Sequence, residues 1–264
     1  MSAEEEQEEE GSVHNHLLRL VVRSEDEAYA LLAQANRGHV SAWSEIKFDG
    51  WPKLEIHLSG EKFHSSLTPP LMKGLLEFQK GIYQSFAAAK YNNPTKRLSE
   101  DERKALEIIV RVVDGTSDVS VPFDQMAIEF VKAIAGKMDS THVLIVALSF
   151  LVLYFGHSAF RTFLEHRKEV RLGEVSDATQ RKMLETLEFQ SKQETERTRI
   201  LTEAIGTRPQ LQNIAAIAHD AQTELVRGVS EADEAKISGV SLSGKAAMML
   251  ELIPVDRLQP HSRK

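Results

Sequence analysis

The sequence predicts an α+β protein in three parts: a small N-terminal α+β domain, one transmembrane helix, and a helical C-terminal tail. Three observations point there. Short β-branched runs alternate with helix-capping patterns up to residue 138, residues 140–160 contain no Asp, Glu, Lys or Arg, and the chain beyond them is rich in Glu, Lys, Gln, Arg and Leu. The expected boundaries are a disordered acidic tail over 1–12, a soluble α+β domain over 13–138, the spanning helix over 140–160 and a helix-rich region over 161–264.

Within the first domain, residues 16–23 (HLLRLVVR) fit a strand, and Ser24 with Glu27 forms the S-x-x-E pattern that opens a helix over 25–36. Gly38 stands where a left-handed cap would end it. Residues 53–58 (KLEIHL) alternate, which puts Leu54, Ile56 and Leu58 on one face of a sheet. Thr68 followed by Pro69 and Pro70 predicts a second helix to Tyr91, its stripe formed by Leu71, Leu75, Phe78, Ile82 and Phe86. Ser99 and Glu102 repeat the capping pattern, and residues 106–113 (LEIIVRVV) carry the strongest strand signal. A turn over 114–118 and a short strand over 119–121 make a hairpin, and a helix over 123–138 buries Phe123, Ala127, Phe130, Val131 and Ile134. This order suits a mostly antiparallel sheet with helices on one face.

The charge-free run of 140–160 would be about 30 Å long as a helix, the thickness of a bilayer's hydrocarbon core. A buried core helix is the competing reading. Spanning is favoured because residues 143–156 are apolar on every face and because basic residues follow directly. The residues expected at the membrane interface are His142, Tyr154, His157, Arg161, Arg167, Lys168 and Arg171. The basic flank favours a cytoplasmic tail by the positive-inside rule, whereas export of the long N-terminal part without a leader argues against it, so topology stays open with a slight lean to a cytoplasmic C-terminus. The expected location is a bacterial inner membrane.

In the tail, 178–205 reads as one long helix with a weak coiled-coil seam, broken at Gly206 and Pro209. Leu211, Ile214, Ala215, Ile217, Ala218, Ala221 and Leu225 form the face of a second helix, which gives a helical hairpin. A short strand over 237–242 and a last helix from Lys245 complete it, with a frayed basic end over 257–264.

The formal charge of −7 argues against nucleic acid held over a broad basic surface. The absence of cysteine removes disulfides, Cys-zinc sites, iron–sulfur clusters and thiol nucleophiles. The acidic first eleven residues are unlike a secretory leader. Gly239 to Lys245 fit G-x-x-x-x-G-K, but Ala246 stands where a hydroxyl should hold magnesium and too little chain follows for an NTPase sheet, so a glycine turn is the better reading. His14-Asn15-His16 is a chance echo of a nuclease motif. His57, Glu61 and His64 lack fixed ligand geometry, and Trp43 and Trp51 read as core. No catalytic, metal or cofactor residue is assigned.

The function that follows is a membrane-anchored interaction or sensor protein without enzymatic activity, its partners being membrane lipid and a protein or further copies of itself. The alternative is an oligomeric pore-forming effector of toxin or defence type, its lumen lined by Ser149, Ser158 and the histidines. A third is an enzyme of unrecognised class.

Overall fold

The computed structural model describes residues 18–40, 43–63, 66–109, 119–187 and 195–251. Strand β1 (Leu18–Val22) leads into helix α1 (Glu25–Asn36), where the Ser24 hydroxyl accepts from the Glu27 amide at 3.2 Å and Gly38 follows at φ +71°. Strands β2 (Trp43–Phe48) and β3 (Lys53–Ser59) come next, and β3 buries Leu54, Ile56 and Leu58 as its alternation requires. Helix α2 (Pro69–Tyr91) begins on the two prolines, buries its expected stripe and ends at a left-handed Asn92. Helix α3 (Glu100–Ala105) carries the full capping box between Ser99 and Glu102.

The strand expected from residue 106 does not begin there. Gln79 of α2 donates to the Leu106 carbonyl at 2.9 Å and accepts from the Ile108 amide at 2.5 Å, so a side chain takes the place of a neighbouring strand. The rest of that run and the turn over 114–118 lie outside the described residues. Strand β4 (Val119–Pro122) and helix α4 (Asp124–Ala135) follow as expected, with Ala127, Phe130, Val131 and Ile134 buried.

Helix α5 (Ser140–Phe155) and helix α6 (His157–Glu174) divide the apolar run and its basic flank, bent by 62° at Gly156. The long helix expected over 178–205 appears as α7 (Ala178–Glu185) and α8 (Thr195–Gly206). Helix α9 (Pro209–Gly228) precedes the hairpin of β5 (Glu234–Ile237) and β6 (Val240–Ser243), and α10 (Gly244–Glu251) comes last among the described residues. The single short strand expected over 237–242 is thus a hairpin, turned by Ser238 at φ 46° and Gly239 at φ 85°.

The sheet expected in the N-terminal part is present as two sheets. β1 and β2 pair in parallel, because the helix between them carries the chain back to the same end. The four-stranded sheet is antiparallel throughout, in the order β4-β3-β5-β6, so it takes strands from both sides of the apolar run.

Helix α5 runs through the core. Twelve of its sixteen residues are buried, and α1, α4, α6, α8 and α9 pack around it. Phe150 stacks on Phe130 of α4 at 4.2 Å, Phe155 lies against Phe123 at 4.3 Å, and Tyr154 meets Phe78 of α2 edge-on at 5.4 Å. Each buried large apolar side chain is worth roughly 1.5–3 kcal/mol. Among the described residues no single helix is long and apolar enough to cross a membrane; α5 and α6 reach that length and composition only together, across their bend. The expected straight spanning helix therefore ends at Gly156, and the surface it would offer to lipid is taken up by protein. A Cβ on Gly156 would lie 2.5 Å from the Val152 carbonyl, and the new helix is capped from outside by Glu25, whose carboxylate accepts from the His157 and Ser158 amides at 2.8 and 3.0 Å.

Helices α2 and α9 approach closely along small residues. A Cβ on Gly74 would lie 2.8 Å from the Glu224 carbonyl, one on Gly81 2.7 Å from Ala221 Cβ, and one on Gly228 3.1 Å from Leu71 Cα. Gly74→Ala, which in an isolated helix would gain about 1 kcal/mol, is expected instead to lose roughly 1–3 kcal/mol here because the added methyl has to push the helices apart. Urea unfolding measures this, and a variant as stable as the parent would contradict the close approach.

The docking of α3 depends on pH. Burial alone would raise the Glu102 pKa, but hydrogen bonds from Lys90, Tyr91 and Ser99 outweigh it and bring the group from 4.5 down to about 2. A carboxylate with a lowered folded-state pKa stabilises the fold above its unfolded value, and that stability is lost as pH falls towards the folded one. Because the Lys90–Glu102 pair is partly open to water, the expected loss between pH 4.5 and 2 is on the order of 1–2 kcal/mol. Glu102→Gln should flatten this part of the stability profile in denaturant titrations, and an unchanged slope would refute the assignment.

Candidate functional site

Where α6 diverges from the α2–α9 pair, it leaves a cleft of about 1080 Å³. Helix α9 forms its floor with Ala215, Ala216, Ile217 and Ala221, and adds the polar His219, Asp220, Thr223 and Glu224. One wall is α2, bearing Lys73, Glu77, Lys80 and Gln84, and the other is α6, bearing His166, Arg167, Val170 and Glu174. The size is just above the usual range of small-molecule sites, and the lining is more polar than is usual for them, an apolar patch on α9 being bordered by charged and polar side chains from all three helices.

The polar groups differ in how they are held. Glu77 and Lys80 pair with each other at 2.8 Å on the exposed face of α2. His219 packs edge-on against Phe163 at 4.9 Å and faces His166 at 6.3 Å between ring centres, and its Nδ1 is 3.8 Å from the Asp220 carboxylate. Arg167 is only 8% exposed although it lines the cleft. Its guanidinium donates to the Leu250 carbonyl at 2.9 Å, and among the described residues it has no carboxylate within ion-pair distance. Burial, with Arg227 nearby, pushes its pKa down, while Glu174 and Asp220 act in the opposite sense from a distance. Among the described residues no three His, Cys, Asp or Glu are placed to share a metal ion.

The residues expected at a membrane interface are found in protein contacts. Tyr154 is buried, with its hydroxyl 2.8 Å from that of Ser85. His142 pairs with Asp139, the N-cap of α5, on the surface. His157 Nδ1 meets the Ser238 carbonyl at 2.9 Å, its other ring nitrogen lies 3.4 Å from Arg161, and its backbone is held by Glu25. The remaining basic residues bind helix C-termini: Arg167 and Arg171 donate to the Leu250 and Met249 carbonyls in the last turn of α10, and Lys168 donates to the Leu187 carbonyl just beyond α7 at 2.5 Å. Cations at helix C-termini satisfy carbonyls that have no intrahelical partner and complement the helix dipole. The basic flank that resembled a topology signal has this local use. Of the serines expected in a pore lumen, Ser149 is buried in the core and Ser158 accepts from Arg197 at 2.7 Å.

The G-x-x-x-x-G-K segment is a hairpin and a helix start, not a phosphate cradle. Gly239 supplies the positive φ of the β5–β6 turn, and a Cβ on Gly244 would run into the Ala232 carbonyl. Trp51 is buried as expected, while Trp43 is half-buried and donates to the Ser140 carbonyl at 3.1 Å. His57 and Glu61 are exposed, and His14, His16 and His64 lie outside the described residues.

Sequence reasoning did not find the cleft, which brings together residues from three distant segments. One signal was present: the apolar arc of α9 is wider than its buried face, since Leu211, Ile214, Ala218, Ala221 and Leu225 are buried but Ala215 and Ile217 are half-exposed and line the cleft. The chain matches no protein-family model, and no curated protein or solved structure is significantly similar to it.

Proposed function

We propose that the protein acts by binding, as an interaction or sensor protein whose ligand site is the cleft between α2, α6 and α9. The observation that carries this reading is the combination of a ligand-sized hollow, an apolar alanine and isoleucine patch on α9, and polar groups converging from all three helices. Helix α9 both floors the cleft and packs on α2 and α5, so an occupant would touch an element on which the core depends. Membrane anchorage is not part of the proposal, because the apolar run that suggested it is covered by the rest of the chain.

The test is to map chemical-shift changes on the isotope-labelled full chain against a mixed library of small polar, apolar, cationic and anionic molecules. Binders should shift resonances of residues on the cleft floor and both walls together, such as Lys80, Val170 and Ala216. A library whose binders cluster on another surface, or which yields none, would overturn the cleft as the site.

A further inference from the structure

Arg167 is an arginine more than nine-tenths buried that lines an otherwise open cleft. Phe163, Leu164, Val226 and Leu250 close around it, so its charge is separated from most of the water that would solvate it. A guanidinium carries five N–H donors, and among the described residues one carbonyl, that of Leu250, accepts from it. Buried charges are ordinarily paired, because desolvation of an ion without a counter-ion is costly. Neither acid nearby does this, since Glu174 pairs with Arg171 at 3.5 Å and Asp220 is exposed beside His219. Beyond Arg167 the α9 floor carries His219 and Asp220 and then an apolar, reachable patch of Ala215, Ala216 and Ile217, with Val170 37% exposed on the wall.

Resting on the cleft as ligand site, we infer that its ligand is an amphipathic organic anion, with a carboxylate-like head group at the Arg167 guanidinium and an apolar body along the α9 floor. A planar two-oxygen head matches the fork of the guanidinium and supplies a counter-charge that no described residue provides. The alanines of α9 leave room for an extended hydrocarbon body, and the Lys80–Glu77 pair and Glu174 form a polar rim that stays in water. A purely cationic ligand would leave Arg167 unpaired and add a second positive charge beside it.

The experiment compares straight-chain carboxylates of two to twelve carbons with primary amines of the same lengths, titrated into the full-length protein by chemical shift and calorimetry. Carboxylates are expected to bind at the cleft with affinity that rises with chain length, and amines of equal length should bind at least about tenfold more weakly. Arg167→Met should lose about tenfold or more of the carboxylate affinity. Because Arg167 also caps α10, a second variant is placed on the exposed floor: Ala216→Trp should keep the thermal transition of the parent and block binding by filling the cleft. If amines and carboxylates bind the cleft equally well, the anionic head group is refuted while the cleft stands as a ligand site. If carboxylates bind elsewhere and Ala216→Trp leaves them unaffected, the inference fails; if in addition no library molecule reaches the cleft, the broader reading fails with it.

Discussion

Everything in this fold depends on covering α5. A helix that is apolar all round cannot face water on any side, and one layer of partners cannot enclose it. The chain meets this by bringing α1 and α4 from before the run and α6, α8 and α9 from after it onto the same helix. The two stretches that composition separates are for that reason joined repeatedly, by the close contact of α2 with α9, by the packing of α1 on α8 and by the pairing of β3 with β5. Lipid would have met the same physical need. Enclosure by protein and insertion in a bilayer draw on the same apolar surface, and the residue pattern within the run does not distinguish them.

The charges that flank the run are held by protein. Arg167, Lys168 and Arg171 follow the apolar run as topology-determining cations do, yet each is committed to a carbonyl at or just beyond the end of another helix. Tyr154 likewise has the position of an interfacial aromatic in the sequence but forms its hydroxyl contact deep in the core. Gly156 is the local reason that the run is two helices, since the bend there lets Glu25 reach two amides that a continuous helix would have satisfied internally.

Features fixed by neighbours in sequence were legible. The Ser24 and Ser99 caps, the left-handed Gly38, the proline start of α2 and the buried stripes of α2, α4 and α9 follow from local geometry and 3.6-residue periodicity. Features fixed by distant partners were not. The pattern WSEIKF of β2 alternates weakly, and only the parallel partner β1 makes it a strand. Conversely, the β-rich run after α3 begins without a ladder because Gln79 satisfies its backbone. The cleft and the burial of Arg167 belong to the second kind, since an arginine at the eleventh position of a mixed helix is indistinguishable in sequence from its solvated neighbours.

The sheet order has a consequence for how the chain is made. Strand β3 lies between β4 and β5, and its partner residue in β5 is 175 positions further along, as for Ser59 and Glu234. During synthesis one edge of β3, with Ile56 and Leu58 behind it, has to wait until the β5–β6 hairpin has emerged before it is closed. A ribosome stalled anywhere before the terminal hairpin would release a chain with an unsealed sheet margin and an uncovered greasy helix, the kind of product that chaperones and proteases recognise.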